Sequence, residues 1–167
     1  MSKHRIATIV CVILLGGGIT LLAAPTREEA EVAKYAGTLK SGTTKEKVSA
    51  LKELGRLGRI NVSLTKAAVP DIVKALDDKD PKVRAEAAHT LGAIDPEDKA
   101  TVVSKLVKML KDEKDLVVKE GAALGLGAMG SAAKDALGPL RDAQKAADKK
   151  DAKTYQAAIM SITGKTK

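Results

Sequence analysis

The apolar positions of this chain recur at three- and four-residue steps, and the whole pattern recurs about every 35 residues. Val83, Ala87, Ala88 and Leu91 form one stripe. Val118, Ala122, Ala123 and Leu126 repeat it, and a looser copy runs through Ala50, Leu51 and Leu54. A period near 3.6 residues marks an amphipathic helix. Self-similarity at a longer fixed period marks a stack of like helical units, each burying its stripe against its neighbours. Nothing in the chain resembles a strand-rich pattern.

The pattern predicts an all-α chain of four helix pairs, at about residues 26–58, 63–94, 97–130 and 132–164. Thr26-x-x-Glu29 and Thr43-x-x-Glu46 are capping boxes, in which hydroxyl and carboxylate satisfy the free amides of a helix start. The first opens a helix with Val32, Tyr35, Ala36 and Leu39 on one face. The second opens a helix through Val48, Leu51, Leu54 and Leu57 that stops at Gly58. The second pair starts near Ser63 or Thr65, with Val69, Ile72, Val73 and Leu76 inward. Asp80 then reads as an N-cap, with Pro81 at the first helical position, where its missing amide hydrogen costs nothing. Val103, Leu106, Val107 and Leu110 repeat the inward set of the second pair. Asp115 repeats Asp80, and Asp95-Pro96 restarts the cycle. The fourth pair diverges, from Ala133 to about Ala147 and then from Asp151 to Thr163, as a terminal unit with one face in water should.

Composition sharpens this. The 167 residues contain neither Phe nor Trp, and Tyr35 and Tyr155 are the only aromatics. Ala, Leu, Val and Ile must therefore form the core, which suits thin layers of closely packed helices. Residues 1–23 are a separate object: Lys3, His4 and Arg5 precede an apolar run from Ile6 to Leu15, a Gly16-Gly17-Gly18 break and Leu-Ala-Ala-Pro. That is the layout of a secretory signal peptide with cleavage after Ala23. The alternative is an uncleaved anchor, since Ile6 to Ala24 nears the length of a membrane helix. The expected location is therefore exported, periplasmic or secreted, or anchored by this segment. Cys11, the sole cysteine, lies within it, so the mature chain has no disulfide. Loss of Lys3 and Arg5 lowers the formal charge from +8 to +6. Much of the remainder is terminal, with six lysines from Gln144 onward against Asp148 and Asp151.

Asp80-Pro81-x-Val83-Arg84-x-x-Ala87-Ala88-x-x-Leu91-Gly92 resembles the second helix of a HEAT repeat, in particular the short variety named after the phycobilisome lyases. Pro70 and Pro139, in the first helices of their pairs, also suit that family. The resemblance covers about Arg27 to Gly164 and is best in repeats two and three. It implies a right-handed α-solenoid whose second helices line a concave face. It further implies inter-repeat bonds from Asp80, Arg84, Asp115 and Lys119. Lys119 departs from arginine and lacks its planar fork; the first repeat carries Thr43 and Lys47 at these positions.

Catalytic chemistry is hard to assemble from these residues. The related deoxyhypusine hydroxylases hold iron with repeated His-Glu pairs, whereas here neither His4 nor His89 is followed by Glu. One mature histidine and no cysteine make no ordinary transition-metal site. Gly125-x-Gly127-x-x-Gly130 imitates a dinucleotide fingerprint but follows no strand. A bilin-lyase role lacks its aromatic groove lining. No catalytic residue, cofactor or metal is expected, and the chain is read as a non-enzyme. His89, with Glu86 one turn earlier, is either a pH-responsive group or an ordinary surface histidine. Gly121, Gly125 and Gly127 each cost about 1 kcal/mol in a helix interior; they allow either close helix packing or a hinge.

Repeat alignment places Lys52, His89, Leu124 and Met160 in one row of the concave face, with Glu53, Glu86 and Glu120 beside it. The mixture of polar and apolar side chains fits a protein segment better than nucleic acid, which would call for a uniform basic ladder. The expected function is an exported scaffold binding a protein through this face. The alternative is an anionic surface or polymer held by Lys145, Lys149, Lys150 and Lys153, with Lys165 and Lys167 nearby. Membrane association otherwise falls to the N-terminal segment alone. Four repeats are few for a solenoid, so self-association through the diverged end and attachment to a larger assembly are both open.

Overall fold

The computed structural model describes residues 24–165. The expected signal segment, Cys11 and Lys167 lie outside the described residues. Helices α1 (Arg27–Ser41) and α2 (Thr44–Ile60) form the first pair, and both capping boxes are present at Thr26 and Thr43. The second pair is α3 (Val62–Thr65), a 3₁₀ turn (Lys66–Ala68) and α4 (Val69–Ala75), followed by α5 (Pro81–Ala93). The third is α6 (Lys99–Asp112) with α7 (Leu116–Ala128). The fourth is a 3₁₀ stretch (Gly130–Ala136), α8 (Leu137–Ala146) and α9 (Asp151–Thr163). No strand occurs among the described residues.

Two first helices are broken where one continuous helix is expected, and proline is the reason. Pro70 and Pro139 lack an N–H, and their rings collide with the carbonyl four residues back. Each therefore sits in the first turn of a new helix, α4 or α8, with a 3₁₀ segment ahead of it. Helix α2 runs past Gly58 to Ile60, and the Asn61 side chain then accepts from Ser63 N–H to open α3. Helix α6 starts one turn beyond Asp95, capped by Asp98, which accepts from Thr101 N–H at 3.0 Å.

The core lies between two layers of helices. Val32, Leu39, Ile72, Leu106 and Leu140 contribute from the first helices; Leu51, Leu54, Val83, Leu91, Leu126 and Ile162 contribute from the second. Tyr155 on α9, only 1% exposed, is the largest fully buried side chain. The second helices α2, α5, α7 and α9 pack in series, whereas contacts within the first-helix layer are sparse. The difference follows from side-chain size. A methyl group on Gly92 would lie 2.6 Å from Cα of Gly125; on Gly121 it would lie 2.7 Å from Cα of Ala85. One on Gly125 would overlap the carbonyl of Ala88. Helices α5 and α7 thus meet backbone to backbone, toward the short end of the usual interaxial range of about 8–10 Å. Valine, leucine and isoleucine hold the first helices further apart. A stack with one layer spaced more tightly than the other bends toward the tight layer, so the second helices form the concave face.

This packing accounts for Gly121 and Gly125 as close-approach residues. Gly92→Ala and Gly121→Ala are each expected to destabilise the fold by about 1–3 kcal/mol through overpacking. Gly37 in α1 faces open space, so Gly37→Ala should stabilise by about 0.5–1 kcal/mol through helix propensity. Urea titration of the three variants would show opposite signs; a gain at Gly92 or Gly121 would mean the helices are further apart than described.

Candidate functional site

A ladder of polar contacts along the inter-helix turns sets the register of the concave face. The Arg84 guanidinium donates to both carboxylate oxygens of Glu113, at 2.8 and 3.1 Å, and to Asp115 at 3.3 Å. It also donates to the backbone carbonyls of Asp78 and Lys79. Asp80 caps α5 by accepting from Lys82 N–H at 2.9 Å, and accepts the Thr44 hydroxyl of the preceding repeat at 2.9 Å. Those two bonds hold its carboxyl below the ordinary range. Lys47 bridges to Asp78 at 2.7 Å. Burial would raise the Asp78 carboxyl, but the Asp80 amide and Lys47 more than offset it, and its pKa falls.

The ladder is therefore intact from repeat one to repeat three, and lysine serves at Lys47. It stops at Lys119, which makes no ion pair among the described residues. Repeat alignment shows why: Glu113 is replaced by Lys149, and the place of Arg84 is taken by Tyr155. Asp115, the counterpart of Asp80, makes no capping bond because its carboxylate turns to Arg84. Sequence reading missed the acceptors Asp78 and Glu113, although both stand two residues before the repeat aspartate, a regularity visible in the alignment.

The structure gathers part of the expected binding row. Lys52, Glu53, Glu86 and His89 line one hollow of about 490 Å³ between α2 and α5, together with Arg56, Arg59, Thr90 and Ala93. Thr90 is buried and donates to the carbonyl of Leu51 at 3.1 Å, which ties α5 to α2 beneath this hollow. Arg56 pairs with Glu53 at 2.8 Å. His89 is half-exposed, and its Nδ1 stands 3.8 Å from Glu86, beyond hydrogen-bond reach. Leu124 lies on the neighbouring α7, 45% exposed. Met160 instead shares a hollow with Arg141, Gln144, Lys145 and Gln156 between α8 and α9. A larger hollow of about 540 Å³ surrounds Arg84 at the turn edge, but its central guanidinium is already saturated by acceptors.

Glu120 faces α9 rather than the hollow. Burial first, and then the Asp151 carboxylate, raise its pKa above the ordinary 4.5. Burial and these same two acids raise the Tyr155 hydroxyl. At the start of α9 the Asp148 carboxylate accepts from the amides of Lys150 and Asp151, at 2.8 and 3.0 Å. Lys145, Lys149, Lys150 and Lys153 are all exposed. No group of three or more His, Cys, Asp or Glu among the described residues is arranged to hold a metal, and none of the described helices is long and apolar enough to cross a membrane.

Two layers of paired helices repeating through a shared ladder find their counterpart in a family model. Residues 36–127 match the model of HEAT repeats. The chain belongs to the HEAT-repeat family. HEAT repeats generally mediate protein–protein interaction as scaffolds, and the family is typically non-catalytic. A search of curated proteins finds no match to this HEAT-repeat chain.

Two outcomes follow from these contacts. Arg84→Ala is expected to cost about 2–3 kcal/mol by stranding charged acceptors, and Arg84→Lys to recover less than half, since an ammonium cannot span Glu113 and Asp115 together; thermal unfolding measures both. Glu120 has its folded pKa raised, so its contribution to stability is present below pH 4.5 and is lost as pH rises through the folded value. Glu120→Gln should therefore raise the melting temperature at pH 7, with the gain over wild type vanishing below pH 4.5. An equal gain at every pH would rule out this carboxyl as the cause.

Proposed function

We propose that this HEAT-repeat protein is an exported, non-enzymatic scaffold that holds another protein against the face of its second helices. The observation that carries the reading is the unsatisfied surface there. Lys52 and Arg59 are exposed without ion pairs among the described residues, His89 is half-free, and Leu124 stands bare beside them. Leu124 and Val117 expose an aliphatic stripe next to these cations, a combination a partner protein can cover. Export rests on the layout of residues 1–23, with cleavage after Ala23 or retention as an anchor.

A second reading draws on Lys145, Lys149, Lys150 and Lys153, exposed near the start of α9 without ion pairs among the described residues. Such a cluster suits an anionic surface or polymer, whose binding fades as salt screens it.

Affinity capture from an envelope fraction, at low and at moderate salt, separates the two. The scaffold reading expects a discrete protein retained at moderate salt and lost when Lys52, His89 and Leu124 are changed together. Retention at low salt only, untouched by those changes but abolished by replacing the four lysines, would transfer the function to the C-terminal repeat.

A further inference from the structure

The concave face is not uniform, and its asymmetry has a chemical meaning. Helix α2 presents Lys52, Arg56 and Arg59 to it, and Lys45 stands two turns before Lys52 on the same stripe; all four are exposed, and Glu53 lines the hollow beside them. Arg56 takes Glu53 as its partner, leaving the other three cations without ion pairs among the described residues. Helix α5 adds Lys82, exposed and likewise unpaired, and half-exposed His89 against Glu86. The register then carries these places onto α7, where the character changes completely. Lys82 becomes Val117, Glu86 becomes Gly121, His89 becomes Leu124 and Ala93 becomes Ala128. Val117 is 44% and Leu124 45% exposed. No charged side chain occupies that stripe of α7, because Lys119 lies in the ladder register and Glu120 faces Asp151.

We infer that the partner of this face is an acidic protein segment carrying an aliphatic or aromatic anchor, its carboxylates over α2 and α5 and its anchor over Val117 and Leu124. This rests on the concave-face reading given above and adds the chemistry of the ligand. The surplus cations attract carboxylates, and their exposure leaves Arg59 free to donate bidentate hydrogen bonds and the lysines free to donate direct or water-bridged ones. The apolar stripe supplies the desolvated contact that a purely electrostatic surface lacks. Two helix steps separate α2 from α7, roughly 16–20 Å, which an extended segment of about six residues spans. A nucleic acid would use the cations but leave the α7 stripe uncovered.

The test is selection from a random display library of roughly 12-residue peptides, long enough when extended to cross all four second helices, on the chain as recovered from its expressing host. Enriched peptides are then titrated against wild type, Leu124→Gln, Leu124→Asp and the pair Lys52→Glu with Arg59→Glu. Circular dichroism verifies that each variant folds; the milder Leu124→Gln stands if Leu124→Asp does not. The expected result is enrichment of peptides combining Asp or Glu with an apolar residue, weakened at least about tenfold by the Leu124 changes and by the charge reversals. Enriched peptides that are basic or uncharged, yet lost on the same variants, would overturn the inference while leaving the concave-face reading in place. Acidic peptides indifferent to Leu124 and displaced by heparin would reduce the face to a charge patch and overturn the inference. No enrichment, or binding unaffected by any of these variants, would overturn both.

Discussion

The backbone contact between α5 and α7 is the constraint on which the rest of the molecule depends. Gly92, Gly121 and Gly125, with Ala85 and Ala88 opposite them, let two helices meet without intervening side chains. A chain without phenylalanine or tryptophan cannot gain stability from a few large buried groups. It gains instead from dispersion between many closely apposed atoms, each contact small and the sum considerable. The same apposition fixes curvature, since the first helices, spaced by valine, leucine and isoleucine, cannot follow the second helices inward. Thus one local choice of small residues determines both how the stack holds together and which way it bends.

The polar ladder complements this contact by fixing register along the turns. Arg84 gathers two acidic side chains and two carbonyls, so neighbouring repeats cannot slide past each other without stranding a charge. Its rungs end at Lys119, and beyond that point the chain changes strategy. Tyr155 buries a ring where a guanidinium stood, and Glu120 approaches Asp151. The fourth unit is therefore joined to the third by apolar burial, with Glu120 close to Asp151, rather than by a charge bridge. That is a reasonable design for a terminal unit, which has one neighbour and need not pass the ladder on.

Much of this was legible in the sequence, and the reasons are physical. Periodicity, the boxes at Thr26 and Thr43 and the Asp80-Pro81 start are local signals whose meaning does not depend on distant residues. The broken first helices were less legible, because Pro70 and Pro139 can be tolerated inside a helical pattern until the backbone shows where the ladder of amides is interrupted. The lining of the hollow was half legible: alignment brought Lys52, Glu86 and His89 together but passed over Arg56 and Arg59, which lie toward the end of α2. Met160 instead lines the hollow between α8 and α9, a placement that depends on contacts with α8 which repeat spacing does not carry. Glu120 was placed beside the groove, and its approach to Asp151 depends on a contact across repeats that spacing alone does not reveal.

The glycine contact has a further consequence for anything that lies across the concave face. Side chains can rotate or compress to absorb a small change in spacing, whereas two apposed backbones cannot. The step from α5 to α7 is accordingly the rigid link of the chain. The step from α2 to α5 is held differently: Gly55 leaves ordinary van der Waals clearance to Thr90, Gly58 sits tightly against Ile94, and the Thr90–Leu51 bond ties the two helices. A body laid over this face meets a gauge block at its centre: the distance between its middle contacts is dictated to it by backbone, not negotiated with side chains.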